Sequence, residues 1–330
     1  MYDLLIIGAG PAGISMAAEA RKSGIKSDKI LLIEKAEEHS WTIKKFYPNE
    51  KLVSANYKEK TAVCSGVMCM SDSSKDDALS YLDMAIGKYS LQVHYQEVVQ
   101  KLYKKDTDVN FTIKTNKNSY QTRICAIAIG MMGKPNKPAY KIPVTLKKSN
   151  INYDITSKEI KNSKVLVVGG GDSASEYTQY LALSGNEVTL CYRQEKFKRM
   201  NNINKQSLQE LEKQEKVKSY MSCDIEEIKE SSTEGMPLVC FKGDIYDDEE
   251  FDQIVYALGG TSPTNFLRLL GIEFDGNEPV IREGFETSIP GLFLLGDLSA
   301  GRKGGSLISA FNSANSAMEK VCKDYLLCKI

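Results

Sequence analysis

Asp3-Leu4-Leu5-Ile6-Ile7-Gly8-Ala9-Gly10-Pro11-Ala12-Gly13 stands at the start of the chain and decides the fold. Leu4 to Ile7 is apolar at every position rather than at alternate ones. Such a run predicts a short strand covered on both faces, the kind found in parallel sheets. The next apolar stretch, Ile14 to Ser23, predicts a helix ended by Gly24, and Lys29 to Ile33 predicts a second strand leading to Glu34. This is a βαβ unit of about thirty residues. Gly8 permits the tight turn, Gly10 lets a pyrophosphate approach the backbone, and Gly13 lets the helix pack close to the strand. The free N–H groups of the helix start, which follows Gly10 with Pro11 and Ala12, then face phosphate charge. Glu34 lies 21 residues after Gly13, where a carboxylate accepts hydrogen bonds from both ribose hydroxyls.

The same grammar returns at Lys164 to Val168. Gly169-Gly170-Gly171-Asp172-Ser173-Ala174 opens a helix running to about Ser184, Gly185 ends it, and Glu187 to Tyr192 is the next strand. No acid ends that strand. Arg193, Lys196, Lys198 and Arg199 follow instead. A carboxylate would repel a ribose 2′-phosphate, whereas a guanidinium binds one bidentately. The first site is thus expected to take an adenosine ribose without phosphate, and the second to prefer NADPH over NADH. A solvated basic turn is the plainer alternative at the second site.

Between the two openings the pattern predicts a helix near Lys75 to Tyr89. Strand-like pieces follow near Gln92 to Leu102, Asn110 to Thr115 and Ser119 to Ile129. Met131 to Asn150, with Pro135, Pro138 and Pro143, reads as a connection between domains. A charged helix is expected near Asn204 to Lys216, with strands over Tyr220 to Ile228, Leu238 to Phe241 and Gln253 to Ala257. Gly259-Gly260-Thr261-Ser262-Pro263 is the second connection. Leu292 to Leu295 reads as a strand, followed by Gly296-Asp297 and a helix from about Ser306 to Leu327.

The chain has 330 residues, 43 basic and 43 acidic, so neither nucleic acid nor a membrane is expected to hold it by overall charge. Hydrophobic residues make up 42% and charged residues 26%, which excludes wholesale disorder. None of the eight cysteines has C-x-x-C spacing, and His39 and His94 are the only histidines. A zinc ribbon, a His-based metal site and a disulfide scaffold are therefore not expected. Glycines and Pro11 interrupt the apolar N-terminus, so neither a signal peptide nor a membrane span is expected. A cytoplasmic protein is the resulting expectation.

Thr287-x-x-Pro290-Gly291-Leu292-Phe293-Leu294-Leu295-Gly296-Asp297 resembles the second FAD motif of flavoproteins with two dinucleotide domains, where the Asp holds a ribityl hydroxyl. Ala128-Ile129-Gly130, with Pro135 after it, resembles their first strand-end connection, and Ala257-Leu258-Gly259, followed by Pro263, the other. The motifs stand in that family's order over nearly the whole chain. The resemblance implies an α/β fold with two Rossmann-like, three-layer domains of the low-molecular-weight thioredoxin reductase-like type. It implies a discontinuous FAD domain, residues 1–130 and 262–330, with an NADPH domain, 131–261, inserted.

One departure stands out. Thioredoxin reductases carry C-x-x-C just before the second glycine motif, and Ile151 to Thr156 here holds no cysteine. Cys64-x4-Cys69 has the spacing of glutathione reductase-like enzymes but lies 30 residues after Glu34, so both are read as buried or inert thiols. Phe46-Tyr47-Pro48 is similar to the Tyr-Pro element of thioredoxin reductase-like ferredoxin–NADP reductases, where the Tyr stacks on the isoalloxazine. For Tyr47 alone, a packed loop aromatic is the plainer reading. Gly133 to Asn136, Tyr140 to Val144, Tyr192-Arg193 with Phe197, and Tyr256 to Gly260 resemble the bacterial NADPH:flavodoxin reductases, also called flavodoxin quinone reductases.

That resemblance implies FAD on Gly8, Gly10, Pro11, Ala12, Gly13, Glu34, Lys35, Tyr47, Gly130, Gly296, Asp297, Ser306 and Leu307. It implies NADPH on Gly169, Gly171, Asp172, Ser173, Ala174, Arg193, Lys198, Arg199 and Gly259. No side chain is needed as a catalytic acid or base, since hydride passes between cofactors. The expected partner is flavodoxin or another small electron carrier, with a quinone as a further acceptor, and the expected assembly is a homodimer. Lys134, Lys137, Lys141, Lys147 and Lys148, with Lys44, Lys45 and Lys51 around Tyr47, either steer an acidic carrier or form a solvated surface. The alternatives are a ferredoxin–NADP reductase, a reductase of a low-molecular-weight disulfide similar to bacillithiol disulfide reductases, and a non-catalytic FAD redox sensor.

Overall fold

The computed structural model describes residues 1–47, 52–56, 63–104, 109–131, 135–155, 157–200, 202–233, 235–260, 263–300 and 305–328. The chain folds as two compact units. Met1–Lys44, Leu52–Gly133 and Ser262–Ile330 form unit 1; Lys45–Lys51 and Lys134–Thr261 form unit 2.

In chain order the elements begin with β1 (Tyr2–Ile7), α1 (Pro11–Lys22), β2 (Ile30–Ile33), α2 (Trp41–Phe46), α3 (Lys75–Lys88), β3 (Val93–His94), β4 (Val99–Tyr103), β5 (Phe111–Thr115) and β6 (Ser119–Ile127). Unit 2 supplies β7 (Ile151–Asn152), β8 (Lys164–Val168), α4 (Asp172–Leu183), β9 (Glu187–Tyr192), α5 (Asn202–Lys213), β10 (Val217–Met221), β11 (Ile225–Glu230), β12 (Pro237–Phe241), β13 (Glu249–Glu250) and β14 (Gln253–Tyr256). The chain then returns to unit 1 with α6 (Thr264–Leu269), β15 (Phe274–Asp275), β16 (Glu278–Pro279), β17 (Leu292–Leu294), α7 (Asp297–Ala300) and α8 (Leu307–Val321).

Unit 1 is built on one sheet in the order β3-β2-β1-β6-β5-β4, with β17 also paired to β6. β1 runs parallel to β2 and β6, in register Ile7 with Ile33 and Ile7 with Ile127. Successive strand side chains point to opposite faces, so Leu4 and Ile6 join α1, α3 and α8 in one core. Leu5 and Ile7 join Phe111, Leu267 and Leu294 in another. The continuous apolar run of β1 is the direct result. Unit 2 repeats the plan in the order β10-β9-β8-β14-β7. Val165 and Val167 face α4 and α5. Leu166 faces the side covered by β11, β12 and Phe241. Truncating a residue such as Ile6 or Leu166 to Ala is a deletion from a fully buried site, costing about 2–5 kcal/mol. The three-layer α/β reading of the sequence therefore holds. Among the described residues no helix is long and apolar enough to cross a membrane.

Three expected elements differ. Gln92 to Leu102 divides into β3 and β4 because Gln96 takes φ 54° and donates its N–H to Ala36 O. Tyr220 to Ile228 divides into β10 and β11, which lie in different sheets, at Ser222 with φ 53°. The last helix ends at Val321, and a wider π-turn over Cys322–Leu326 follows.

The cysteine reading also needs correction. Cys64–Cys69 and Cys322–Cys328 are disulfides, and neither Cys64 nor Cys69 is buried. Cys64 and Cys69 pair at the C-x4-C spacing noted in the sequence, and Cys322 pairs with Cys328 six residues on. Among the described residues no cluster of His, Cys, Asp and Glu is arranged to hold a metal.

Glu19, inside α1, is a buried acid that fixes a loop: its Oε1 accepts the Val67 N–H at 2.6 Å. Burial raises its pKa most, the Val67 N–H opposes, and Glu319 adds repulsion. An acid whose folded pKa lies above its unfolded value binds more protons when folded, so its contribution to stability is lost as pH rises through that folded pKa. Glu19→Gln keeps the acceptor oxygen without the charge. The variant is expected to unfold at no lower temperature than wild type near pH 8, with its advantage shrinking toward pH 5. Thermal unfolding at both values checks this; a lower Tm at pH 8 contradicts it.

Candidate functional site

Four neighbouring parallel strands of unit 1, β2, β1, β6 and β17, end along one crest. In open α/β sheets, ligands bind beyond such carboxyl ends, where connections diverge to opposite sides. At the end of β1, Gly8 takes φ 106° and donates its N–H to Ile33 O. A Cβ at Gly13 would stand 2.0 Å from Gly8 O, so only glycine lets α1 approach this closely. Gly10 is different. A Cβ there would meet no protein atom nearer than Ala128 O at 3.9 Å, so one face of the turn is open. Gly10 caps α1 without any side-chain bond, with Pro11 as the first helical residue and Ala12 buried behind it. The helix start therefore presents unpaired amides to the open face, an arrangement suited to an anion.

Glu34 follows β2 and is 8% exposed. Its Oε2 accepts the Ala9 N–H at 2.9 Å and its Oε1 the Ala36 N–H at 2.8 Å. The carboxylate thus ties the glycine turn to the β2 end, and each oxygen retains a lone pair for a further donor. Lys35 beside it is exposed. Ser40, with φ 52°, donates its N–H to Ala9 O and holds the start of α2 on the same turn. Ser40 and α2 had no glycine or proline signal in the sequence. Tyr47 follows α2 and belongs to the short stretch that groups with unit 2.

Ala128 and Gly130 continue β6, with Gly130 at φ 63°. Gly296 and Asp297 end β17. Ser313 of α8 pins them, its Oγ accepting the Gly296 N–H at 3.0 Å. Ser313 was missed in the sequence, where it is one small residue among many on α8. Protein atoms crowd the Asp297 carboxyl, and loss of water raises its pKa, yet one side stays open to solvent. A Cβ at Gly305 would lie 1.9 Å from Asp297 Oδ1, so the residues leading into α8 run directly beside the acid. Ser306 and Ser309 form a capping box, and Ile308 donates its N–H to Ala55 O at 3.1 Å. The Leu307 amide donates to none of the described residues.

Unit 2 has an equivalent crest at the ends of β9, β8 and β14. Gly169 donates its N–H to Cys191 O. A Cβ at Gly170 would strike the Tyr192 ring at 2.0 Å, while none within 4 Å meets one at Gly171. Gly171 caps α4 without a side-chain bond. Ala174 is buried against the turn and Ser173 is exposed. Asp172 is already engaged, its Oδ1 accepting from Asn204 Nδ2 at 3.1 Å. Tyr192 stacks on Phe197 with centroids 5.3 Å apart. Arg193, Lys198 and Arg199 project beyond this stack, exposed and without an ion pair to any described residue. Gly259, at φ 76°, ends β14, and its carbonyl accepts the Asn136 N–H at 2.9 Å. Pro135 and Gly260 form a bridge, so the two connections run side by side there. Of the residues singled out in the sequence, Pro48, Lys51, Gly133, Lys134, Thr261 and Ser262 lie outside the described residues.

Two kinds of comparison bear on this geometry. The chain is 26% identical over 305 residues to a ferredoxin–NADP reductase of Metallosphaera sedula, covering 91% of this chain and 85% of the relative. It is 25% identical over 308 residues to one from Halalkalibacterium halodurans, covering 90% and 85%. Among solved structures, the bacillithiol disulfide reductase Bdr of Staphylococcus aureus superposes with TM-score 0.79 at 21% identity, over 98% and 99% of the two chains. The thioredoxin reductase of T. acidophilum does so with TM-score 0.78 at 22% identity, over 98% and 99%. These structural likenesses establish the fold. The family model for pyridine nucleotide-disulphide oxidoreductases matches residues 5–296. With two glycine-turn crests of that family's kind in one chain, the protein belongs to the pyridine nucleotide-disulphide oxidoreductase family and is an oxidoreductase working with FAD and NADPH.

Proposed function

We propose that the crest of unit 1 holds FAD, the crest of unit 2 holds NADPH, and the electrons leave to a small acidic one-electron carrier, flavodoxin before ferredoxin or quinone. The observation that carries this reading is the opposite chemistry at the two ribose positions. A positioned carboxylate, Glu34, stands at one, and the exposed cations Arg193, Lys198 and Arg199, without an ion pair among the described residues, stand at the other. The open faces at Gly10 and Gly171 supply room for a pyrophosphate at each turn. Asp297 is placed to hold a ribityl hydroxyl, and the first turn of α8, at Ser306 and Leu307, supplies positive dipole to the flavin pyrimidine edge. FAD, when bound, supplies the conversion between a two-electron donor and a one-electron acceptor. The protein orients the two cofactors and excludes water.

The carrier reading is supported by the name shared by the sequence relatives and by Lys137, Lys141, Lys147 and Lys148. All four are exposed in a stretch without acids. Lys44 no longer counts toward such a surface, since it pairs with Glu38. A cytoplasmic homodimer, discontinuous in its FAD domain, completes the reading.

The test is an anaerobic panel of flavodoxin, ferredoxin, quinone and disulfides with the yellow, FAD-loaded protein and NADPH. Flavodoxin is expected to turn over fastest, with a rate that falls as salt rises. Faster turnover of a disulfide sinks the carrier reading, and failure to retain flavin after refolding with excess FAD sinks the cofactor placement. Replacing both Cys64 and Cys69 by Ser is expected to leave carrier or dye reduction within about tenfold of wild type, or 1.4 kcal/mol. Steady-state rates of the double variant decide; a larger loss with FAD still bound puts the thiols on the electron path.

A further inference from the structure

We infer that Asn204, on α5, is a positioning residue for the nucleotide of unit 2: it draws the Asp172 carboxylate aside from the glycine turn and so keeps the pyrophosphate's place open, a role that rests on the NADPH reading of that crest. Asp172 is the first residue of α4, directly after Gly171. A Cβ at Gly171 would meet no atom within 4 Å, so the turn is open there. A carboxylate beside it is drawn to the positive helix start just as a phosphate is. The two compete for one anion position, and each repels the other.

A donor to the side of the turn resolves this conflict. Asn204 Nδ2 donates to Asp172 Oδ1 at 3.1 Å and to Glu176 Oε1 at 3.5 Å. Asp172 and Glu176 stand four residues apart, neighbours on one face of α4, where two carboxylates repel. One amide set between them offsets that repulsion and holds both acids toward α5.

The amide is itself held. Asn204 is 9% exposed, its Oδ1 accepts from Gln179 Nε2 at 3.3 Å, and its backbone carbonyl accepts from Ser175 Oγ at 3.0 Å. Gln179 Nε2 also donates to Ser175 Oγ at 2.9 Å. Since Gln179 brings a donor to the oxygen end of the Asn204 amide, the NH2 end faces the two acids. Ser175 and Gln179 are one turn apart on α4, so these bonds fasten α5 to the same helix that carries the turn. The role differs from that of Arg193. NADPH and NADH share the pyrophosphate but not the 2′-phosphate, so loss of Asn204 weakens both nucleotides alike, and it does so through the Asp172 charge.

The experiment titrates the FAD-loaded protein calorimetrically with NADP⁺ and with NAD⁺, which bind without turnover. Wild type, Asn204→Leu and the double variant Asn204→Leu with Asp172→Asn are compared. Asn204→Leu is expected to weaken both nucleotides about tenfold, the order set by one uncompensated unit charge near a phosphate at a protein surface. The defect is expected to shrink as salt rises. Adding Asp172→Asn is expected to bring affinity back to within about threefold of wild type, because the neutral amide no longer repels the anion. A displaced α5 would not be repaired by removing a charge from α4. Where Asn204→Leu does not fold, Gln179→Met removes the bond that orients the amide. It is expected to weaken both nucleotides in the same direction and to be rescued by the same second change. Unchanged affinity, a loss confined to NADP⁺, or a loss that Asp172→Asn does not repair overturns the role of Asn204 and leaves the NADPH crest standing. A wild type that binds neither nucleotide removes the crest and the role together.

Discussion

Arg193→Ala is expected to lower kcat/KM for NADPH by roughly 10- to 150-fold. A guanidinium–phosphate contact is charge-assisted and contributes about 1.5–3 kcal/mol, and about 1.4 kcal/mol is tenfold. The magnitude is plausible at this place because Arg193 is exposed beyond the Tyr192–Phe197 stack and has no ion pair with a described residue to give up. NADH has no 2′-phosphate, so its use is expected to change little. The phosphate is remote from the transferred hydride, so kcat falls less than kcat/KM. Steady-state kinetics of wild type and variant with both nucleotides decide the matter. Equal losses with NADPH and NADH would show that Arg193 does not read the phosphate.

Gly10→Val is expected to separate folding from FAD binding. The backbone at Gly10, φ −84° and ψ −177°, is extended and open to any residue. A Cβ there would meet only Ala128 O, at 3.9 Å, an ordinary van der Waals contact. The flavin-free protein should therefore unfold within a degree or two of wild type, about the scatter of a surface substitution. With FAD, the added methyls occupy the pyrophosphate's approach. Overpacking of about 1–3 kcal/mol corresponds to roughly 5- to 150-fold weaker binding. Gly13→Ala is the counterpart. Its Cβ would collide with Gly8 O, and the flavin-free fold itself is expected to lose stability. Thermal unfolding of both flavin-free variants and FAD titration of Gly10→Val measure the contrast. Unchanged FAD affinity in Gly10→Val would remove the pyrophosphate from this turn.

The crests were legible because each rests on a local, repeated grammar. A doubly covered strand must be apolar at every position, and a turn as tight as Gly8 with a helix as close as Gly13 excludes other residues. Asp297 was legible for the same reason, a short apolar strand running into Gly296. What stayed hidden has a different physics. Gln96, Ser40 and Ser222 adopt left-handed backbone without being glycine, so the breaks between β3 and β4 and between β10 and β11, and the start of α2, left no mark. Ser313 acts through one hydroxyl across a helix–strand contact, and Cys64–Cys69 through proximity made by anchors on α1, α3 and α8. Long-range geometry of this sort has no period in a sequence.

The bridge between Pro135 and Gly260, with the Asn136 amide on the Gly259 carbonyl, bears on how such a chain arises. It fastens the entry and exit of unit 2 to each other like the two legs of a hairpin. For the host, the whole inserted unit then counts as a short loop, because the entropy of closing a loop depends on the gap to be spanned and rises only slowly with what hangs from it. A gene segment could be spliced into the middle of an ancestral single-unit fold at this position without breaking the sheet order on either side.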